Sequence, residues 1–216
     1  MKHYYKDKYC TIYHADCRDI LPTLGKVDLV LTDPPYGINA DKNAKRNAGK
    51  GGRKIHPYAG PLWDNSTVDA FTIDMVLQSS QHAIIWGGNY YSFALPSSMG
   101  WLVWDKGMRN FSLSDGELAW TSFQNALRIK TVTRGKRLQD GCYHPTQKSL
   151  ALMVWCIQYA DRHGSAETII DPFMGSGTTL RAAKDLQRFV TGIELSEQYC
   201  EIAARRLSQG VLELRE

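Results

Sequence analysis

Short apolar runs alternate with helix-like patterns along this chain, and that alternation constrains the fold more than any other feature. Residues 27–32, 83–86, 101–104, 168–170 and 189–193 each suit a strand buried on both faces. A further strand-like run covers 11–14. Leu150, Met153, Val154 and Ile157 recur at helical spacing, with Pro145 before them and Gly164 after. A last helix is expected from a Ser196 N-cap through Tyr199, Ile202, Ala203 and Leu207 to a stop at Gly210. Strands alternating with helices predict an α/β sandwich on a mostly parallel sheet. Ligands of such sheets sit beyond the carboxyl ends of the strands.

A chain of 216 residues fits one domain, 1–216. With 43% hydrophobic and 22% charged residues it has globular rather than disordered composition. The longest apolar run, 150–157, is too short to span a bilayer, and the first ten residues hold no apolar signal core. Neither a membrane anchor nor export is therefore expected. The five cysteines include no CxxC and read as reduced thiols of a cytoplasmic protein. The six histidines have no metal-ligand spacing, so no metal is expected.

The net charge of +4 is small, but its distribution is uneven. One acid-free stretch holds Lys45, Arg46, Lys50, Arg53 and Lys54, within a segment, 39–58, that reads as a mobile basic loop. A second holds Arg128, Lys130, Arg134, Lys136 and Arg137. Two such runs point to a polyanion whose phosphates they neutralise.

Chemistry concentrates where apolar runs end. Asp33-Pro34-Pro35-Tyr36 follows the run 27–32. Its prolines stop the strand and stiffen the backbone, holding a carboxylate, a carbonyl and an aromatic ring in fixed relation. Two acceptors beside an aromatic plate suit a planar ring carrying an NH2 group. Asp171-Pro172-Phe173-Met174-Gly175-Ser176-Gly177-Thr178-Thr179 follows the run 168–170 and opens a helix. Gly175 and Gly177 allow close approach of a ligand to backbone. The loop lacks the lysine of a triphosphate-binding loop and the third glycine of the dinucleotide fingerprint. Glu194 ends the next run, where acids grip ribose hydroxyls in such folds.

These segments together resemble the amino-methyltransferases of DNA. Asp33, Pro34, Pro35 and Tyr36 match that family's catalytic tetrapeptide. Asp171, Phe173, Gly175, Ser176, Gly177 and Thr178 match its S-adenosylmethionine loop, and Glu194 falls where the ribose is held. Asp16 falls where the family contacts the cofactor's adenine. His144-Pro145-Thr146-Gln147-Lys148 is similar to the segment closing over the methionine end, so Lys148 joins the cofactor set. Ser149 stands where a further proline is usual.

The tetrapeptide precedes the cofactor loop, as in the circularly permuted β subgroup. Residues 86–91 and 101–106 resemble small phage or prophage members. The resemblance implies a three-layer Rossmann-like methyltransferase fold with a small target-recognition insert at about 106–141. One or two strands, or a hairpin, are expected within 117–129. It also implies methylation of double-stranded DNA at the N6 amine of a flipped-out adenine, in the manner of restriction–modification enzymes. Asp in the tetrapeptide's first position favours adenine over the N4 amine of cytosine, the nearest rival. Remoter rivals are RNA or protein-glutamine methylation and a non-catalytic binding module. So small a reader also raises the homodimer as an assembly.

Overall fold

The computed structural model describes residues 2–38, 66–109, 114–133 and 147–209. In chain order the elements are β1 (Tyr5–Lys6), β2 (Cys10–His14), α1 (Cys17–Ile20), β3 (Val27–Thr32), α2 (Ala70–Gln78), β4 (Ser80–Trp86), β5 (Trp101–Asp105), β6 (Gly116–Thr121) and β7 (Arg128–Thr131). They continue with α3 (Leu150–His163), β8 (Thr168–Asp171), α4 (Thr178–Asp185), β9 (Phe189–Glu194) and α5 (Glu197–Ser208).

Among the described residues the strands form one nine-stranded sheet in the order β1-β2-β9-β8-β3-β4-β6-β5-β7. The neighbours β2-β9, β9-β8, β8-β3 and β3-β4 are all parallel. Strand β6 is antiparallel to both β4 and β5, and β7 pairs in parallel with β5. The carboxyl tips of β2, β9, β8, β3 and β4 therefore share one edge of the sheet. Because β6 runs backwards, its first residues reach that same edge, with Glu117 opposite Trp104 near the end of β5.

The three layers follow from alternation within the strands. Leu29 and Leu31 point into one core with Ile84, Trp86, Leu152, Ile157, Leu180 and Ala203. Val30 and Ile85 point into the other with Ile20, Ile73, Val76 and Tyr91. Leu29, Val30 and Leu31 are each fully buried, so this strand is covered on both faces. Each such side chain contributes about 1.5–3 kcal/mol of burial.

Side-chain caps set the starts of α2 and α3. The Ser149 side chain accepts from Leu152 N at 3.2 Å, so the residue standing in place of a proline is the cap of α3. Asp69 caps α2 by accepting from Thr72 N at 2.7 Å. Ser196 occupies the N-cap position of α5 without a side-chain cap bond.

Of the one or two strands expected within 117–129, two form, and they do not make a hairpin with each other. Strand β6 inserts between β4 and β5, and β7 lies outside β5 at the sheet's edge. The basic loop 39–58 lies outside the described residues.

Candidate active site

Strand β3 has β8 on one side and β4 on the other, and the chain reaches them in opposite directions from this pair. The β3–β8 boundary is thus the switch point of the sheet, where a crevice opens beyond the strand tips. The Thr32 hydroxyl donates across it to Asp171 Oδ1 at 2.7 Å. Burial raises the Asp171 carboxyl to about 6, against the pull of the Thr32 and Thr179 hydroxyls and the Phe173 N–H.

On one side of this boundary stands Asp33-Pro34-Pro35-Tyr36. The Tyr36 hydroxyl donates to Asp33 Oδ1, and the buried Tyr91 hydroxyl donates to the Pro35 carbonyl, leaving the Pro34 carbonyl out of that bond. The Tyr36 ring stacks on Tyr90 with centroids 4.7 Å apart and planes 13° apart. Gly87, at φ +69°, passes so close that a Cβ there would lie 2.0 Å from the ring. A glycine is therefore required both by its left-handed backbone and by the ring beside it.

Lys148 reaches the same carboxylate. Its Nζ donates to Asp33 Oδ2 at 2.5 Å and to the Tyr36 hydroxyl at 3.1 Å, and it lies 3.1 Å from Glu117 Oε2. Lys106 Nζ binds the other oxygen of Glu117 at 2.8 Å. The Lys148 side chain is 4% exposed, whereas those of Asp33 and Glu117 are 26% and 25% exposed, so the cluster opens on its carboxylate side.

Burial lowers Lys148, but Asp33 and Glu117 more than offset it and hold the ammonium above the ordinary lysine value. Glu117 is opposed by burial yet drawn down to about 2 by Lys148 and Lys106. Asp33 has only one ammonium, so burial wins and its carboxyl is raised. Tyr36 is pushed well above its usual value, by burial first and then by Asp33.

On the other side of the boundary the backbone does most of the work. Gly175 N donates to Glu194 Oε2 at 3.0 Å, and Ser196 N donates to Glu194 Oε1 at 2.8 Å. A carboxylate offers about four acceptor sites, so Glu194 retains capacity for a pair of hydroxyls. Burial raises its carboxyl. Gly175 has φ +50° and open space where a side chain would stand. At Gly177, φ +76°, a Cβ would sit 2.8 Å from Ala203 Cβ, so this glycine lets α4 pack on α5. Such an arrangement, an open glycine bend beside a part-satisfied carboxylate, fits a ribose-bearing ligand that lacks a phosphate chain.

Several sequence-predicted residues therefore converge. Phe173 is half-buried against the core, Ser176 is bound by Gln147 and by the buried Arg206, and Thr178 starts α4. Gln147 Oε1 accepts from Ser176 Oγ at 3.2 Å, tying the segment before α3 to the glycine loop. Its neighbour Lys148, expected with the cofactor, places its ammonium on Asp33 and Glu117. Asp16 caps α1 and pairs with Arg18 at 2.5 Å, beside Ala15, whose N–H donates to the Glu194 carbonyl at 3.0 Å.

Of the basic residues, Arg128 and Lys130 lie exposed on the edge strand β7. Lys45, Arg46, Lys50, Arg53, Lys54, Arg134, Lys136 and Arg137 lie outside the described residues, as do His144, Pro145 and Thr146. Cys10, Cys17, Cys156 and Cys200 are free and buried. Among the described residues no group of three or more His, Cys, Asp or Glu is placed to hold a metal, and no helix is long and apolar enough to cross a membrane.

The sequence reading missed Gly87, Tyr90, Tyr91, Lys106 and Glu117. The available signals were the glycine-aromatic stretch 86–91 at the end of β4, whose partner Tyr36 is distant in sequence, and the stretch 101–106, whose last residue Lys106 meets Glu117.

The family described as DNA methylase, of the N6/N4 type, matches residues 78–205. The Type II methyltransferase M2.MboI of Moraxella bovis is 24% identical over 93% of this chain and 88% of its own length. The solved structure of an M1.HpyAVI–SAM complex is 26% identical with a TM-score of 0.60, covering 92% of this chain and 98% of that one. The PvuII DNA methyltransferase, described as cytosine-N4-specific, has a TM-score of 0.61 at 13% identity, covering 99% of this chain and 91% of that one, a likeness of fold.

Proposed function

The chain belongs to the DNA methylase family of N6/N4 amino-methyltransferases, and from that premise we propose that it methylates the N6 amine of adenine flipped out of double-stranded DNA. One observation carries the reading. The Asp33–Tyr36 tetrapeptide and the Gly175–Glu194 bend face the same strand-tip edge, joined by the 2.7 Å Thr32–Asp171 bond across the switch point.

Bound S-adenosylmethionine supplies an electrophilic methyl group on a sulfonium. The chain's own residues do the rest. Glu194 takes the ribose hydroxyls, and the open backbone at Gly175 lets the ligand close on the loop. Asp33 accepts one amine N–H and the Pro34 carbonyl the other, which draws the nitrogen out of conjugation and aims its lone pair at the donor. As the N–C bond formed, the methyl's bond to sulfur would break to leave a neutral thioether, and the surplus amine proton would pass by way of Asp33 to solvent. Alignment of this kind, with acceptors already in place, is the largest contribution to rate. Tyr36 offers the ring on which the flipped base stacks. Arg128 and Lys130 on β7 contribute to the phosphate-binding surface.

The same acceptor pair suits the N4 amine of cytosine. Asp33 in the first tetrapeptide position favours adenine. Labelled methyl from S-adenosylmethionine should enter duplex DNA, and digestion to nucleosides should yield N6-methyldeoxyadenosine by mass spectrometry. N4-methyldeoxycytidine would overturn the choice of base. Label entering RNA or protein but not DNA would overturn the substrate.

A further inference from the structure

Methyl transfer to an exocyclic amine needs only acceptors for its N–H groups. Yet the most buried member of the charge cluster beside Asp33 is a donor. Lys148 is 4% exposed and sits 2.5 Å from the acid that receives the amine. We propose that Lys148 hydrogen-bonds the ring nitrogen next to the target amine, and that Glu117 is the positioning residue that holds it there. This inference rests on the reading of the chain as an enzyme acting on a flipped-out base.

The chemistry of the base supports the pairing. On adenine and cytosine alike, the amine-bearing carbon is bonded to an unprotonated ring nitrogen. The Watson–Crick edge thus presents a donor beside an acceptor, and flipped bases are read along that edge. Asp33 and Lys148 carry the complement, an acceptor and a donor 2.5 Å apart, with Asp33 on the open side and the ammonium directly behind it. Guanine and thymine carry a ring N–H at the matching position, which would face the ammonium and leave both donors unpaired.

The ammonium has three N–H bonds, directed to Asp33, Glu117 and the Tyr36 hydroxyl. The last is the exchangeable one, because the hydroxyl keeps its own bond to Asp33 Oδ1 when it yields that place to a base. Glu117 has a different task. It is held by Lys106 at 2.8 Å and by Lys148 at 3.1 Å, and the reversed direction of β6 brings it to the strand tips. Without that carboxylate, only the exchangeable Tyr36 hydroxyl is left to keep Lys148 from collapsing onto Asp33. The cluster thus alternates in sign, Lys106, Glu117, Lys148, Asp33, with the fixed end on the sheet and the working end at the base.

The test uses duplex DNA in which the methylated adenine is replaced by 1-deazaadenine, which keeps the amine and lacks the ring nitrogen. Should the modified base prove to be cytosine, 3-deazacytosine replaces it. Wild-type protein should methylate the analogue roughly 10–100-fold less efficiently in kcat/KM than the natural base. Lys148→Met should lose activity on the natural base while its ratio between the two substrates collapses towards one. Glu117→Gln should lower that ratio in the same direction, and the double variant should be no worse than Lys148→Met. Lys148→Arg, which keeps a charged donor, should retain the ratio if Lys148→Met fails to fold.

An unchanged ratio in Lys148→Met or, where that variant does not fold, a ratio lost in Lys148→Arg together with one intact in Glu117→Gln overturns the proposal. Loss of S-adenosylmethionine affinity by calorimetry, with the ratio intact, would instead assign Lys148 to the cofactor. A wild-type protein that does not methylate the unmodified duplex overturns the underlying reading, and this inference with it.

Discussion

The two sides of the switch point are built in opposite ways. The side formed by β8 and β9 is made of backbone: a glycine bend, two N–H groups and one carboxylate lying within 20 or so residues of one another. The side formed by β3, β4 and β6 is made of side chains drawn from distant parts of the chain, with Lys148 and Asp33 separated by 115 positions. A contiguous backbone cradle tolerates change in its neighbours. A long-range charge cluster depends on every element that delivers a member to it.

Replacement of the acid proposed to receive the amine should separate the two sides most sharply. Asp33→Ala should lower kcat by about 100–1,000-fold or more while calorimetry shows cofactor affinity nearly unchanged. Wild-type turnover in that variant would end the division of labour. Gly87→Ala should come next. A Cβ 2.0 Å from the Tyr36 ring, at φ +69°, forces the plate to move, so turnover should fall at least 10-fold and the melting temperature should drop. Glu194→Gln should act in the other sense, weakening cofactor binding about 10-fold with less effect on kcat at saturating cofactor.

The boundary itself carries a pH signature. Asp171 is raised from 3.8 to about 6, so the folded chain binds the extra proton between those values. Its contribution to stability is therefore largest at low pH and declines as pH rises through about 4–6. Asp171→Asn keeps an acceptor for Thr32 and Phe173 while removing the ionisation. Relative to wild type, it should gain on the order of 2–3 kcal/mol at pH 8 over pH 4 in denaturant titrations. An equal difference at both pH values would show that Asp171 does not titrate in this window. The smallest effect is expected at the sheet's edge. Reversing the charges of Arg128 and Lys130 should weaken DNA binding and flatten its salt slope by roughly 2.

The same contrast explains what was legible in the sequence. Strand β3 was readable because both its faces are buried, so six residues carry the signal by themselves. The tetrapeptide and the glycine loop were readable because each is contiguous and follows a strand. Helix α2 was not foreseen, since only Thr72, Ile73 and Val76 of its nine residues are buried. The placement of β6 and β7 depends on pairing with β4 and β5, which no local pattern encodes. Glu117 looked like one polar residue in an alternating strand. Its meaning comes from the two lysines that meet it, one from the end of β5 and one from the start of α3.

The contact between Gly87 and Tyr36 also sets how this pocket can be reshaped. With no room for a methyl group between them, position 87 is closed to enlargement, and past the end of β4 the ring can be approached only through Tyr90, which stacks on it. A chemist wishing to accept a bulkier or differently substituted base would begin from Tyr90 or from β6, where each exchange trades space against stacking or charge rather than against backbone.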